Sequence, residues 1–262
     1  MGRISNIFAV VFLTTALLLS CQGVFAMTQQ TEAAIGRGVN EKLVKKYGIY
    51  DNSKVQKYVE HVGLKIVSVS DRQNIVYHFT VLDANEIDSF SAPGGYVYIT
   101  KGFLTKLKTE AQLAAVLAAE VVHIAYRHSI PSIEKNMAFH SVSTANKKDV
   151  LMHGIMFAYD LIDVGVHKKI QSEADIKAAE YLLRSGYDPM AMIRMLDVIQ
   201  VQEKKDLSSV QSYIMSHHKT TRRIDVVRLM ISNLKAAHSD KFEAALGKSY
   251  PDKYKENVLD VM

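Results

Sequence analysis

Thr109-Glu110-Ala111-Gln112 opens the segment that most constrains this chain. A threonine followed three residues later by glutamine is a capping box, and Leu113, Val116, Leu117, Val121 and Ile124 behind it recur at helical spacing. The helix so predicted carries Ala119-Glu120-Val121-Val122-His123. Four residues advance an α-helix by roughly 400°, so positions 119 and 123 share a face. A histidine at position 119 would complete H-E-x-x-H, two imidazoles able to grip one metal ion with a carboxylate between them. Position 119 holds a methyl group instead.

Other segments surround this helix in a definite order. Upstream, Phe90-Ser91-Ala92-Pro93-Gly94-Gly95-Tyr96-Val97-Tyr98-Ile99-Thr100-Lys101-Gly102 predicts a Pro-Gly-Gly turn and then a β-branched and aromatic strand. The glycine pair lacks the lysine and helix of a phosphate-binding loop, so it is taken as a turn. Downstream come Glu173-Ala174-Asp175 and Gly186-Tyr187-Asp188-Pro189, a helix ended by glycine with proline shortly after. Taken together, these segments resemble the HtpX-like and CAAX-prenyl-protease-like zinc metallopeptidases, and among them the soluble bacterial envelope branch that handles outer-membrane protein quality control. The resemblance runs from about Glu32 to about Leu229. It implies an α+β fold, mostly helical and zincin-like, with a small β-sheet.

The resemblance also implies a chemistry. Such enzymes hold zinc with two helix histidines and a carboxylate from a second helix, while the glutamate between the histidines takes a proton from the metal-bound water. The family's third ligand is the first glutamate of E-x-x-A-D. With Ala174 and Asp175 fixing the register, that position falls on Gln171. Glu173 lies two residues on, rotated by about 200° to the opposite face of the helix. Gln171 offers a neutral amide oxygen, a poor zinc ligand beside a carboxylate. Structural zinc sites contribute roughly 10–16 kcal/mol over four ligands, so losing two weakens binding by some four or more orders of magnitude.

Part of the implied machinery remains. Glu120 stands at the general-base position and His123 at the second ligand position. Asp175 matches the residue that orients a ligand histidine from behind. Ser216-His217 and Arg223-Ile224 resemble the family's S-H-P-x-x-x-x-R-I segment beside the active site, with His218 where proline is usual. Without zinc, Glu120 and His123 at i,i+3 are expected to form a helix ion pair. A rewired site would recruit His128, His153 or His217, and nothing in the spacing selects among them. His128 follows Arg127 as in the family's H-x-x-x-R-H extension, but five residues past His123 a continuing helix places it on another face. Met190, Met192 and Met195 fit core packing.

The 262 residues, 48% hydrophobic and 23% charged, suit one domain with a sizeable core and argue against disorder. The net charge of +5 is spread over scattered lysines, which speaks against a nucleic-acid surface. Arg3 before the apolar run Ile7–Leu19 reads as a secretory leader. Val24-Phe25-Ala26 fits cleavage after Ala26, while Leu18-Leu19-Ser20-Cys21 resembles a lipobox at the only cysteine. Either route exports a chain without a disulfide to the periplasm or envelope, as a lipoprotein if Cys21 is the site. No later segment reads as transmembrane.

The expected organisation is a signal peptide over 1–26, a metallopeptidase-like domain over 27–230 and a helical tail over 231–262. Glu32 to Tyr47 and Val55 to Val67 read as amphipathic helices around a Gly48–Asn52 turn, and Asn74 to Leu82 as a strand with Tyr77, Phe79 and Val81 on one face. Ser129 to Asp149 is polar and irregular, a lid or mobile loop beside the site. Helices follow over Val150–Val164, around Glu173 and over Pro189–Val201, with Asp225 to Met262 helical and broken at Ser249-Tyr250-Pro251.

The leading functional expectation is a metallopeptidase fold that has lost hydrolysis and kept polypeptide binding. Tyr96, Val97, Tyr98, Ile99 and Thr100 match the family's substrate-binding edge strand, where extended or misfolded envelope polypeptides would pair. The outer membrane or its assembly machinery is a further expected partner, and nucleic acid is not. No cofactor is expected at full occupancy. The competing expectation is an active zinc endopeptidase with an unconventional ligand set, which would carry zinc.

Overall fold

The computed structural model describes residues 26–144, 146–164, 170–205 and 210–262, with residues 163–164, 203–205 and 210–219 through their backbone alone. Residues 1–25 of the expected leader, with the cysteine of the lipobox, lie outside the described residues.

Helix α1 (Gln29–Tyr47) starts where the Thr28 hydroxyl accepts from the Thr31 amide at 3.1 Å, and it stops at Gly48, whose φ of 74° suits glycine. Helix α2 (Ser53–Val67) is capped by Asn52, which accepts from the Val55 amide at 3.1 Å. Both match the sequence expectation. Strands β1 (His78–Leu82), β2 (Ser89–Ala92) and β3 (Tyr96–Thr100) then form a three-stranded mixed sheet in the order β1-β3-β2. Gly94 and Gly95, at φ 77° and 99°, close the β2–β3 hairpin, and a Cβ on Gly95 would lie 2.0 Å from the Val76 carbonyl oxygen.

The side-chain alternation of the strands divides the core in two. Tyr77, Phe79, Val81, Val97 and Ile99 pack under α2 and α4 (Glu110–Ala125), while Leu82, Phe90, Ala92 and Tyr98 pack under α1 and α6 (Lys147–Val164). The sheet is therefore sandwiched between helical layers.

One expectation fails here. Tyr96–Thr100 is the central strand, parallel to β1 from His78↔Tyr96 to Leu82↔Thr100 and antiparallel to β2 from Ser89↔Ile99 to Ala92↔Tyr96. Its backbone groups are taken on both sides, so Tyr96, Val97, Tyr98, Ile99 and Thr100 cannot receive an added strand. The cause is the turn itself. Pro93-Gly94-Gly95 folds the preceding Ser89–Ala92 back onto β3 and makes β2 the edge.

After the short α3 (Lys101–Leu104), α4 is buried from Glu110 to Ile124 and packs against α2, α7 (Gln171–Arg184), α8 (Ala191–Lys205) and the sheet. Thr109 caps it by accepting from the Gln112 amide at 3.2 Å. The Gln112 side chain accepts from Lys108 at 2.8 Å, one residue before the position a reciprocal box would use. Full burial of a leucine such as Leu113 or Leu117 stabilises by about 1.5–3 kcal/mol, so this helix is the keel of the domain.

The irregular segment expected over Ser129–Asp149 is mostly helix α5 (Ile130–Ser143). Ile130, Ile133 and Met137 lie at i, i+3 and i+7 on its buried side, and Pro131 sits in the first turn, where no donor is lost. Helix α9 (Val210–Ala237) runs unbroken through Asp225 and through position 231, where the tail was expected. Ile231 and Leu234, Phe242 and Ala245 of α10 (Ser239–Ala245), and Tyr254 of α11 (Pro251–Tyr254) share the core cluster of α4. Tyr250, at φ 51°, makes the expected break. Among the described residues, no single helix is long and apolar enough to cross a membrane.

Candidate functional site

Four elements converge beside the middle of α4. A cavity of about 200 Å³ is lined by Ser89 of β2, Ala119 and Glu120 of α4, Gln171 of α7, Met195 of α8 and Arg223 of α9. The expected base and the two substituted ligand positions thus face one space, while His123, the third ligand position, lines a smaller cleft with Glu32 and Ser91.

Glu120 is buried and accepts a hydrogen bond from the Ser89 hydroxyl at 2.9 Å. Burial pushes its carboxyl up to about 7, against the hydroxyls of Ser89 and Ser91, which favour the anion. Asp88 nearby raises it further and Arg223 lowers it. Ser89 and Ser91 were not singled out in the sequence. Their signal is the alternation Ser-Phe-Ser-Ala just before the Pro-Gly-Gly turn, which puts both hydroxyls on the α4 side and Phe90 and Ala92 on the other.

His123, also buried, lies with its Nδ1 2.9 Å from His128 Nδ1, the rings meeting edge-on. One nitrogen must carry the proton and the other accept it. His128 was expected on another face. Helix α4 ends at Ala125, and Arg127 takes a left-handed conformation at φ 54°, which turns the chain back so that the His128 amide donates to the His123 carbonyl at 3.0 Å. His128 Nε2 lies 4.0 Å from Glu173 Oε2. Burial lowers the His128 pKa, and Glu173 partly opposes that shift. In place of the expected Glu120–His123 ion pair, the structure presents Glu120 to the serines of β2 and His123 to His128.

Asp175 is fully buried and bound in a fork by Arg223, Nε to Oδ2 at 2.6 Å and Nη2 to Oδ1 at 3.0 Å. The Gln171 carboxamide favours the ionised form of the same carboxylate. Asp175 therefore ties α7 to α9 through Arg223. His217, with Ser216 and His218, falls on α9 where the side chains lie outside the described residues. His153 is carried away from the site, stacked at 3.9 Å on His140 across α5 and α6.

A three-ligand zinc set does not fit these donors. Ala119 has no donor atom, and Gln171 presents a neutral amide beside Asp175. Among the described residues, no three histidine, cysteine, aspartate or glutamate side chains come together as a metal-holding group.

The edge of the sheet lies against this site. The Thr100 amide donates to the Asp88 carbonyl at 3.0 Å, so that pair is a bonded one. Antiparallel pairs alternate, so Phe90 and Ala92 turn their backbone groups toward β3 while Ser89 and Ser91 turn theirs outward. Asp88 Oδ1 accepts from the Ser89 amide at 2.9 Å. Among the described residues, no strand pairs with the outer side of β2.

A third missed residue, Glu32, braces the turn that carries His128 through Arg127. It is buried, takes Arg72 in a fork at 2.8 and 3.0 Å, takes Arg127 Nε at 3.2 Å and accepts from the Gly94 amide at 3.3 Å. Burial alone would raise its pKa, but Arg72, Gly94 and Arg127 together hold it below the ordinary carboxylate value. Its signal was an acid on the apolar stripe of α1, in phase with Ile35, Val39 and Leu43.

The sequence model of peptidase family M48 matches residues 53–231. Among curated proteins, the chain is 25% identical over 161 residues to the beta-barrel assembly-enhancing protease of Escherichia coli K12, covering 56% of this chain and 33% of that protein. It is 24% identical over 200 residues to the protein of that name in Yersinia pestis, covering 71% of this chain and 41% of the relative. It is also 25% identical over 171 residues to the mitochondrial metalloendopeptidase OMA1 of Schizosaccharomyces pombe, covering 64% and 50%. The matched region thus spans between a third and a half of the length of these relatives.

Proposed function

Because this chain belongs to peptidase family M48, we propose that it is a pseudopeptidase, a member that grips extended polypeptides beside a vestigial catalytic centre without cutting them. One observation carries the proposal. The cavity keeps Glu120 at the base position, but two of the three expected metal-ligand positions, both lining it, are the Ala119 methyl and the Gln171 amide, which favours the charge of Asp175. Binding does not need those ligands. The Ser89 carbonyl and the outward backbone groups of Ser91, the latter on a buried residue, are the pairing groups of an edge strand that an extended chain would use.

The names of the bacterial relatives support unfolded outer-membrane proteins, or their assembly machinery, as the polypeptides bound. The leader supports export to the envelope, with cleavage after Ala26 ahead of lipidation at Cys21. The test is a binding and cleavage assay with an unfolded β-barrel protein. Binding without new fragments is expected, and Ser91→Pro, which deletes one outward amide, should weaken it at least several-fold. Cleavage that a chelator stops would overturn the proposal.

A second function, an active zinc endopeptidase with a rewired ligand set, is favoured among the described residues by two contacts in series. His123, His128 and Glu173 approach one another in sequence, at 2.9 and 4.0 Å. The two imidazoles bond each other through Nδ1, so a metal would have to part them.

A further inference from the structure

Ala26 is exposed and the next residue, Met27, is buried. The Met27 side chain joins the apolar cluster that contains Ile130, Ile133 and Met137. Its backbone nitrogen donates to Glu134 Oε1 of α5 at 2.6 Å, and its carbonyl accepts from Arg127 Nη2 at 2.9 Å. Arg127 is the left-handed residue that turns His128 back against His123, and its Nε also bonds Glu32. Met27 is therefore clamped between α5 and the α4–α5 turn.

A carboxylate is more than an amide N–H requires, since a neutral carbonyl oxygen would satisfy it. It is the natural partner of an ammonium, which has three donors and a full charge. Val24-Phe25-Ala26 independently places a processing bond between the same two residues. We propose that hydrolysis of the Ala26–Met27 bond creates an α-ammonium that Glu134 receives as an ion pair, and that this pair locks the Tyr126–Ser129 turn presenting His128. Water supplies the oxygen of the new Ala26 carboxylate and the protons of the new Met27 amine, under catalysis by a leader-removing endopeptidase. Maturation then does more than release the protein. It exchanges a neutral hydrogen bond for a charged one at the point where the chain braces the site.

This inference rests on cleavage after Ala26, and its test separates the two. The full chain is produced in a host that exports it, the mature N-terminus is identified by mass spectrometry, and the α-amine is titrated by NMR or by pH-dependent acylation. A chain beginning at Met27 is expected, with its α-amino pKa raised by one unit or more above the ordinary range of about 7.7–8.0. Glu134→Gln, which keeps an acceptor but no charge, should return it to that range. The same variant should speed hydrogen exchange of the His128 amide at least tenfold. If Glu134→Gln does not fold, the mature protein still decides through its own α-amino pKa. A chain beginning at Met27 with an ordinary α-amino pKa would overturn the ion pair and leave the cleavage standing. A chain beginning at Met1 or at a lipidated Cys21 would overturn both. An α-amino pKa unmoved by Glu134→Gln would also overturn the ion pair, and unchanged exchange at His128 would overturn the lock.

Discussion

Replacing Glu120 with glutamine should leave stability nearly unchanged in acid and raise it in base. The carboxyl is buried at the end of a cavity, with two serine hydroxyls as its favourable partners and Asp88 as an unfavourable neighbour. Its pKa rises from an ordinary 4.5 to about 7. One pKa unit corresponds to about 1.4 kcal/mol, so a shift of that size means about 3 kcal/mol of preference for the protonated form in the folded chain. The folded state holds the proton more tightly than the unfolded state. That stabilisation is fully present below pH 4.5 and is lost as pH rises through 7. Glutamine has nearly the same shape, accepts from the same serines and never ionises. Urea denaturation of both proteins at pH 4, 7 and 9 should give a difference near zero at the first pH and about 3 kcal/mol in favour of glutamine at the other two. A difference that stays constant across this range would refute the assigned burial and charge balance. Zinc adds a control. A cation beside Glu120 favours the carboxylate, so wild-type protein that loses its alkaline penalty when zinc is added would hold the metal at this cavity.

Further outcomes follow from the same geometry. Ala119→His with Gln171→Glu should restore zinc binding far beyond the sum of the single changes, since each alone leaves one position without its ligand; metal content after dialysis measures this. Val97→Pro removes an amide that β3 gives to β1 and should abolish or severely lower the cooperative melting transition, whereas Ser91→Pro on the β2 edge should retain it. Arg223→Met leaves the Asp175 carboxylate buried and unpaired and should cost about 3–5 kcal/mol in chemical denaturation, with much of the loss recovered by adding Asp175→Leu.

The parts of this molecule that were legible in its sequence are the locally determined ones. Thr109 and Gln112 announce α4, Asn52 lies in the turn that was expected between α1 and α2, and Gly94-Gly95 announces a turn, because each depends on a few adjacent residues. The family motifs placed Ala119, Glu120 and Gln171 around one implied centre, and the structure brings all three to one cavity. Strand order was not legible. Whether Tyr96–Thr100 lies at the edge depends on Ser89–Ala92, a four-residue strand too short for its pattern to stand out, folding back across the turn. His128 escaped for another reason. One residue, Arg127, leaves the helical conformation, and a face assigned by extending the helix is then wrong from that point on. Helix α5 was obscured by the polar residues around its sparse apolar stripe of Ile130, Ile133 and Met137. Glu32 and Arg223 acquire their roles only from partners 40 and 48 residues away.

The most direct test of the vestigial centre is the zinc content of the unmodified mature chain, equilibrated at near-physiological free zinc and then passed over a mild chelator. With a methyl group at position 119 and an amide at position 171, the protein should emerge with far less than one zinc per chain, while Ala119→His/Gln171→Glu protein treated alongside should keep it. One zinc per unmodified chain, retained through the chelator, would contradict the account and place a working metal centre on a different set of ligands.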